Sequence, residues 1–237
     1  MTKSGVDKLG DSLRTELTNE NLQKLDEYRR SFFSFYSEVV EKIRELLKVE
    51  ISGRPAKTTI SICEKLYRSP IRLSQMADIA GCRIIVPDMI VQGESAYKIN
   101  DSFNCKIVDR IKNPSYGYRA IHVIVKRGIF SVEVQIRTEL QHLWAELSEK
   151  SVDLFGSEVK YGGGGKVIQD ILDDFSYRVY EHDKMILAKL KGSSSKDYKL
   201  LELLELLDKD SIFEMKEELK DDIRCMISTI DDIKEKL

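Results

Sequence analysis

Three polar side chains alternate with apolar ones in the segment VEVQIRT, residues 132–138. The polar residues are Glu133, Gln135 and Arg137. Successive side chains of a β-strand point to opposite faces, so these three share one face and the apolar residues share the other. An acid, an amide and a base on one accessible face can line a site for charged ligands. Because ordinary half-buried strands also show this pattern, it predicts a site only in combination with other residues.

Asp78 is a second carboxylate that stands just before an apolar run, residues 82–86, which contains Arg83. An acid at the start of a strand is well placed to bind a hard cation such as Mg²⁺. Glu133 can complete a two-carboxylate metal site with Asp78, or it can take a proton from an attacking hydroxyl. Capping of a helix or strand by Asp78 is the structural alternative.

Several cations precede these acids in the segment GRPAK, residues 53–57, and in the eleven residues after it. They are Arg54, Lys57, Lys65 and Arg68. Lys57 and Lys65 are eight residues apart, which predicts that they project from nearly the same side of a helix. Converging cations suit a triphosphate, whose charge must be neutralised before phosphoryl chemistry. An ordinary solvated basic face is the alternative.

An aromatic segment, YGYRAIH at residues 116–122, lies between the two acids. A glycine between Tyr116 and Tyr118 permits close backbone approach, and the rings offer faces on which a base can stack. His122 can hold a phosphate or ribose oxygen, although a strand histidine is more often hydrogen-bonded structure. Paired carboxylates, clustered cations and an aromatic platform together predict metal-dependent transfer between nucleotides.

The charge distribution agrees with an anionic ligand. The chain has 237 residues and a net charge of −2, but residues 54–137 carry 14 basic against 7 acidic side chains and residues 138–237 carry 15 against 23. The basic middle segment either binds a polyanion or pairs with the acidic C-terminal helices. No apolar run approaches the roughly 20 residues of a membrane span, and four scattered cysteines with three scattered histidines form no zinc pattern. We therefore expect a cytoplasmic protein with no membrane partner.

Hydrophobic periodicity predicts an α+β (mixed) fold with long N-terminal and C-terminal helices. It predicts one amphipathic helix over residues 18–48, helices over 58–68 and 89–102, strands over 82–86 and 106–111, and a hairpin of strands 120–126 and 130–136. A capping box, TELQ at residues 138–141, predicts the start of another helix. The expected domains are an N-terminal helical segment packed on the core (1–50), the core (51–165) and a C-terminal helical extension (166–237).

The C-terminal extension is predicted to contain helices over residues 166–191 and 198–236, separated by Gly192-Ser193-Ser194-Ser195. The second helix is expected to break near Asp210, where Ser211 would cap a new helix. The glycine run at residues 162–165 favours a flexible joint between helices over a phosphate loop, since no Lys-Ser/Thr follows it. Apolar stripes, including Leu200, Leu203, Leu204 and Leu207, favour packing on the same chain or self-association.

The motifs over residues 50–165 resemble the synthetase domain of the RelA/SpoT homologue family, the alarmone synthetases. The matching segments are GRPAK, SICEKL, DIAGCRIIV, YGYRAIH, VEVQIRT and QHLWAE. The resemblance implies a nucleotidyltransferase-like mixed β-sheet flanked by helices. It also implies transfer of the β,γ-pyrophosphate of ATP to the 3′-hydroxyl of GDP or GTP, with Mg²⁺ as cofactor.

The resemblance assigns a role to each candidate residue. Arg54, Lys57 and Lys65 match the family's ATP-phosphate-binding cations, and Arg83 matches an arginine beside the ATP. Asp78 matches the acid that binds Mg²⁺, and Glu133 the second acid, a metal ligand, general base or both. Tyr116, Tyr118, His122, Gln135 and Arg137 are assigned to the acceptor nucleotide: Tyr118 stacks on the guanine, His122 lies near its phosphates, and Gln135 and Arg137 complete the site wall.

Departures from the family pattern leave the acceptor open. His142 stands where small synthetases often have Asn, and Ser148, with Glu149 adjacent, stands where they often have Glu. The alternatives are the same chemistry on the tRNA 3′ end, which would make the protein a toxin with an antitoxin partner, or on adenosine nucleotides. A catalytically silent nucleotide-binding module is a third hypothesis. Homo-oligomerisation through the terminal helices and the lack of a hydrolase domain before the motifs are further expectations.

Overall fold

The computed structural model describes residues 1–191 and 208–236. The chain forms two compact units whose segments interleave along the sequence. The first unit comprises Met1–Ile84, Ser95–Val108 and His122–Ile136, and the second comprises Ile85–Glu94, Asp109–Ile121 and the part from Arg137 on. The division into domains 1–50, 51–165 and 166–237 stays a prediction.

The sheet has five strands, which do not follow chain order in space. They are β1 (Ile51–Arg54), β2 (Ala80–Val86), β3 (Cys105–Asp109), β4 (Ile121–Arg127) and β5 (Phe130–Thr138). The spatial order is β1-β2-β5-β4-β3, which places the VEVQIRT strand β5 at the centre. Together with the helices, this sheet confirms the predicted mixed α+β fold.

Eight α-helices are described. They are α1 (Lys3–Thr15), α2 (Asn19–Arg30), α3 (Phe33–Leu47), α4 (Thr59–Arg68), α5 (Met89–Ser102), α6 (Glu139–Phe155), α7 (Lys166–Lys191) and α8 (Lys209–Glu235). Two short 3-10 helices, Leu73–Gln75 and Ser157–Tyr161, lie between them. None of the helices in the described residues is both long enough and apolar enough to span a bilayer.

The single helix predicted over residues 18–48 is wrong, because the chain turns at Ser31 and Phe32 between α2 and α3. The Ser31 hydroxyl donates to the carbonyl of Tyr28 at 2.6 Å and competes with continued helix. Phe32 is fully buried, with edge-to-face contacts to Tyr28 and Phe130 at centroid distances of 5.1 Å. The heptad-like spacing survives this turn, so the sequence pattern did not reveal it.

Strand β1 was not predicted, although it contains the glycine of the GRPAK motif. Gly53 lies opposite Cys82 in an antiparallel pair with β2. A Cβ at Gly53 would stand 2.6 Å from the Cα of Cys82 and 2.6 Å from the carbonyl oxygen of Gly81. Only glycine permits this approach, which fixes Arg54 at the end of β1 next to β2.

In the first unit, the apolar face of the central strand forms the core. Val132, Val134 and Ile136 of β5 are completely buried, which confirms the alternation that the sequence predicted. Strands β4 and β5 are joined through Gly128 and Ile129, as the predicted hairpin requires. The helix predicted over residues 58–68 is also confirmed as α4, with Thr58 as its N-cap.

The second unit is built around α6, which packs against α7 and α8. The predicted capping box is present: Thr138 accepts from the Gln141 amide at 3.2 Å and its own amide donates to Gln141. Ser211 does not cap α8, because Asp208 is the N-cap and accepts from the Ser211 amide at 2.7 Å. The segment Gly192-Ser193-Ser194-Ser195 and the stripe Leu200, Leu203, Leu204, Leu207 lie outside the described residues.

Candidate functional site

A carboxylate between two lysines forms the first part of the candidate site. Asp78 lies just before β2; its Oδ2 accepts from Lys57 Nζ at 2.8 Å and its Oδ1 from Lys65 Nζ at 2.7 Å. Lys57 precedes the N-cap of α4, so the prediction that both lysines project from one helix is wrong. They converge because the Lys57 amide donates to the Ile79 carbonyl at 2.6 Å, which holds that loop against the start of β2.

The two lysines determine the charge of Asp78. Burial alone raises the pKa of this carboxyl, but the charges and hydrogen bonds of Lys65 and Lys57 outweigh burial and lower the pKa to about 2. Asp78 is therefore ionised at neutral pH, and its side chain is 22% exposed. Two cations are held in place by an acid before any anionic ligand arrives, which reduces the entropy that binding must overcome.

Glu133 forms the second part of the site on β5. Its Oε1 lies 3.1 Å from Nδ1 of His122 on the neighbouring strand, and its Oε2 accepts from Gln135 Nε2 at 2.8 Å. His122 is buried, with 9% of its surface exposed. In this structure, the role of His122 is to orient Glu133; its predicted contact with the acceptor phosphates stays a prediction.

Glu133 is also ionised at neutral pH. Burial raises the pKa of its carboxyl and the nearby charge of Asp78 raises it further, yet hydrogen bonding and charge from His122, with a hydrogen bond from Gln135, lower it below the ordinary value. A carboxylate with a lowered pKa is a poor proton acceptor near neutral pH. Its electrostatic coupling to Asp78 places the two acids in one neighbourhood of the first unit, which favours a cation-binding role.

The two arginines that were predicted to contact ATP lie on the paired strands β1 and β2. Arg54 ends β1 and is exposed, with Gly81 as its antiparallel partner, and Arg83 lies half-buried in β2 opposite Ser52. Both belong to the first unit, like Asp78 and Glu133. Their predicted contacts with ATP stay predictions.

The carboxylates Asp78 and Glu133 are ligand types that suit a hard cation such as Mg²⁺. Among the described residues, no group of three or more His, Cys, Asp or Glu side chains is arranged to hold a metal ion. Mg²⁺ typically binds one or two carboxylates and completes its shell with water and substrate phosphates. The two ionised carboxylates, Asp78 and Glu133, agree with this coordination preference. They are the residues that would hold the ion.

The tyrosines and Arg137 belong to the second unit, where Tyr118 and Arg137 form a pair. Arg137 Nη2 donates to the Tyr118 hydroxyl at 3.1 Å, and its guanidinium lies 5.0 Å from the ring centroid. Arg137 is 5% exposed, and the Tyr118 ring tilts against Trp144 at a centroid distance of 6.4 Å. Tyr116 has a positive φ of 51° and is 54% exposed. Tyr118 is thus a fixed ring, whereas Tyr116 is presented to solvent.

Gly117 permits the turn between these tyrosines. Its φ is +80°, and a Cβ there would stand 2.6 Å from Cζ2 of Trp144. We expect Gly117→Ala to lower the free energy of unfolding by about 3 kcal/mol, since it adds backbone strain and overpacks a rigid ring. Urea denaturation followed by circular dichroism measures this loss.

The matched control is Gly128→Ala. Gly128 also has a positive φ, +61°, but nothing lies within 4 Å of its Cβ position. The strain alone should cost about 1 kcal/mol. Equal losses in the two variants would show that Trp144 yields to the added methyl group and that the turn is not sterically fixed.

A buried polar network follows β5, and the sequence did not reveal it. Asp183 of α7 is 2% exposed, and its Oδ2 accepts from Thr138 Oγ1 at 2.9 Å and from Gln141 Nε2 at 2.8 Å. Gln92 Nε2 donates to Gln141 Oε1 at 2.7 Å. This network holds the capping box that directly follows Arg137. The available signal was spacing: Asp183 continues the apolar stripe of Leu172, Phe175 and Val179 on α7.

Asp183 makes stability depend on pH. Burial raises the pKa of this carboxyl to about 6, against 3.8 in the unfolded chain, despite bonds from Gln141 and Thr138 and the charge of Lys216. Because the folded state binds the proton more tightly, stability falls as pH rises from about 4 to 6. We expect Asp183→Asn, whose amide oxygen can accept both hydrogen bonds, to be more stable than wild type at pH 8 by about 3 kcal/mol.

Denaturant unfolding at pH 8, 6 and 4 checks this expectation. The difference in free energy of unfolding between Asp183→Asn and wild type should decrease steadily as pH falls from 6 to 4. A gap that stays constant across this range, or an Asn variant less stable at pH 8, would show that Asp183 is ionised in the fold at little cost.

The residues that depart from the family pattern lie on α6. His142 Nε2 lies 3.5 Å from Glu146 Oε1, and Ser148 is buried while Glu149 is exposed. Glu149 therefore does not occupy the buried position of Ser148 on the helix.

Comparison with known proteins identifies the central segment. Residues 53–152 match the family model described as "Region found in RelA / SpoT proteins". This segment contains Lys57, Lys65, Asp78 and Glu133. Residues 53–152 are similar to that region. The sequence-based prediction of the family is thereby confirmed for this part of the chain.

Curated relatives carry the same region within longer chains. The uncharacterized protein Rv1366 of Mycobacterium tuberculosis is 38% identical over 112 residues, which cover 45% of this chain and 41% of Rv1366. The GTP pyrophosphokinase of Haemophilus influenzae is 34% identical over 119 residues, covering 48% of this chain and 16% of that enzyme. The chain thus spans less than half the length of either relative.

The small alarmone synthetase 1 of Bacillus subtilis, solved with its product pppGpp, shares the fold. It superposes with a TM-score of 0.54 at 23% identity, and the match covers 72% of this chain and 95% of the synthetase. The predicted RelA/SpoT fold, a mixed sheet flanked by helices, is confirmed by this similarity.

Proposed function

We propose that this protein transfers the β,γ-pyrophosphate of ATP to the 3′-hydroxyl of a guanosine nucleotide, GDP or GTP. The observation that carries the proposal is the arrangement of two ionised carboxylates, Asp78 and Glu133, with two lysines bound to the first of them, inside a RelA/SpoT region. The relative named GTP pyrophosphokinase supports the same reaction class.

The donor nucleotide would be held by cations of the first unit. Asp78 orders Lys57 and Lys65. The oxygens of a triphosphate can replace the Asp78 carboxylate as the partners of the two ammonium groups. Arg54 and Arg83 add two guanidinium groups on neighbouring strands, where they can pair with phosphate or stack on adenine. Neutralising the triphosphate lowers the cost of placing an anionic donor beside a nucleophile.

The two carboxylates would act on charge rather than by forming covalent bonds. Mg²⁺ bound by Asp78 and Glu133 would neutralise charge that develops on the transferred group. His122 and Gln135 keep Glu133 ionised and fixed in orientation. Glu133 can also receive the hydroxyl proton in the transition state, although its lowered pKa favours the first role.

The reaction balances as a displacement at the β-phosphorus. The acceptor 3′-oxygen forms a bond to the β-phosphorus. The bond from the β-phosphorus to the oxygen that bridges it to the α-phosphorus breaks. The electron pair leaves with AMP, and the 3′-hydroxyl proton is released to Glu133 or solvent. The protein mainly contributes positioning and electrostatic stabilisation.

The acceptor side would be formed by Tyr118 with Arg137 as its support. The hydrogen bond and the cation–π contact from Arg137 fix the ring of Tyr118, and a fixed aromatic face suits stacking of a guanine. Tyr116, Gln135 and His122 are the further acceptor residues of this proposal. Self-association, an antitoxin partner, bound Mg²⁺ and a cytoplasmic location stay predictions.

Thin-layer chromatography with γ-labelled ATP and Mg²⁺ tests the proposal. Parallel reactions receive GDP, GTP, ADP or deacylated tRNA. We expect label to move to GDP or GTP. Transfer only to tRNA or ADP would support the proposed reaction type but show a different acceptor. His142 and Ser148 would then be the residues to examine for acceptor choice. Binding of ATP without transfer to any acceptor would favour a silent nucleotide-binding module.

A further inference from the structure

A cavity lies in the first unit beside the turn that joins β4 to β5. Its volume is about 440 Å³, within the usual range of small-molecule sites, about 300–1,000 Å³. We call it the hairpin pocket and argue from six of its lining residues: Lys3, Lys106, Ile124, Lys126, Phe130 and Ser131. None of the candidate catalytic or ATP-binding residues lines it, so its role is separate.

Three lysines from three different elements surround the hairpin pocket. Lys3 begins α1, Lys106 lies in β3 and Lys126 lies near the end of β4. No acidic residue lines the cavity, and none of these lysines forms an ion pair with a carboxylate among the described residues. In a chain with a net charge of −2, three lysines around one cavity create a local field that attracts anions.

An acid close to Lys3 along α1 is already engaged elsewhere. Asp7, one turn along α1 from Lys3, accepts from the Ser74 amide at 3.2 Å and faces Arg72. Its pKa is lowered chiefly by hydrogen bonding to Ser74, and Lys3 contributes a smaller effect. Asp7 therefore offsets part of the charge of Lys3, whereas Lys106 and Lys126 do not contribute to its pKa.

The remaining lining can hold both a polar and an apolar part of a ligand. Ile124 and Phe130 supply apolar surface. Ser131 supplies a hydroxyl, which donates a hydrogen bond to the carbonyl of Ala77 at 3.3 Å and can accept one from a ligand.

The pocket shares a sheet face with the candidate catalytic acid. On β4, Ile124 and Lys126 point to the same side as His122, and on β5, Ser131 points to the same side as Glu133, because strand side chains alternate. A ligand in the hairpin pocket would therefore lie along the face that carries the Glu133–His122 pair.

We propose that the hairpin pocket binds a small anion with two or more phosphate groups, at a site separate from the one formed by Lys57 and Lys65. Three ammonium groups provide point charges for phosphate oxygens. The shared chemistry is a polyphosphate, which can be inorganic or part of a nucleotide whose organic portion meets Ile124 and Phe130.

Titration of ¹⁵N-labelled protein followed by amide chemical shifts tests this site directly. Inorganic triphosphate is used in one arm and uridine triphosphate in the other, with Gly128 and Ser131 as reporters. We expect saturable shifts at both reporters, and at least tenfold weaker binding at them in Lys106→Ala/Lys126→Ala. Tighter binding of the uridine nucleotide would identify a nucleotide as the ligand, and equal affinities an inorganic polyphosphate.

The matched control is Lys98→Ala/Lys112→Ala, which removes the same charge from exposed lysines outside the pocket. Its affinity at the reporters should stay within twofold of wild type. Shifts that do not saturate in either arm, or equal weakening in both double variants, would overturn the proposal. Because the readout is binding and not turnover, it stands apart from the proposed transfer reaction and should persist in Glu133→Gln.

Discussion

Glu133→Gln is expected to reduce pyrophosphate transfer by about 10³-fold or more, with the fold retained. The variant keeps the size of the side chain and a group that can bond to His122 and Gln135, but it removes the negative charge. If Glu133 holds a cation against the transferred phosphates, an amide oxygen cannot replace a carboxylate in that role. The rate of AMP release with saturating ATP and acceptor measures the loss.

Glu149→Gln is the matched control for this prediction, since Glu149 is an exposed acid on α6. It should leave the rate within twofold of wild type. Circular dichroism and the unfolding midpoint must be unchanged in both variants. A Glu133→Gln rate within tenfold of wild type would remove Glu133 from the catalytic machinery.

Asp78→Asn is expected to lower both activity and stability. The substitution leaves Lys57 and Lys65 close to each other without their shared counter-charge. The pKa of Asp78 lies at about 2 in the fold, against 3.8 in the unfolded chain, so its ionisation contributes about 2 kcal/mol to the free energy of unfolding. Transfer should also fall by about 10³-fold, because the carboxylate that orders both lysines and would hold Mg²⁺ is lost.

The pH dependence distinguishes this effect from a general packing defect. A lowered pKa stabilises the fold above about pH 4, and the contribution is lost as pH falls towards 2. The stability gap between wild type and Asp78→Asn should therefore be constant from pH 8 to 5 and narrow below pH 4. Asp101→Asn, at an exposed acid of α5, serves as control. A gap that does not depend on pH would show that ionisation of Asp78 does not stabilise the fold.

The sequence predicted most of the elements that carry the site, because period-two and capping signals act locally. The alternation in VEVQIRT fixed the buried face of β5, and Thr138 and Gln141 fixed the start of α6. The signals failed where tertiary contacts decided the outcome. Burial of Phe32 divides the predicted N-terminal helix. The close pairing of Gly53 with Cys82 stabilises β1, a strand too short to show hydrophobic periodicity in the sequence.

The candidate site shows the same limit. Residue types singled out Asp78, Lys57 and Lys65, which the fold brings together. Helical spacing gave the wrong reason for the convergence of the lysines, which depends on a loop bonded to Ile79. The contact of His122 with Glu133 joins two strands that are adjacent only in the folded sheet, so the sequence did not reveal it. Asp183 bonds to Thr138, 45 residues away, and no local pattern encodes such a distance.

The most direct test of the proposed reaction is to follow both transferred phosphorus atoms. Purified protein is incubated with Mg²⁺, GDP or GTP, and ATP labelled at either the β- or the γ-phosphate, and AMP is quantified in parallel. We predict that both labels enter the same product in equal amounts, with one AMP released per product. Transfer of the γ-label alone, with ADP as co-product, would contradict the account, since it would make the enzyme a simple phosphoryl transferase.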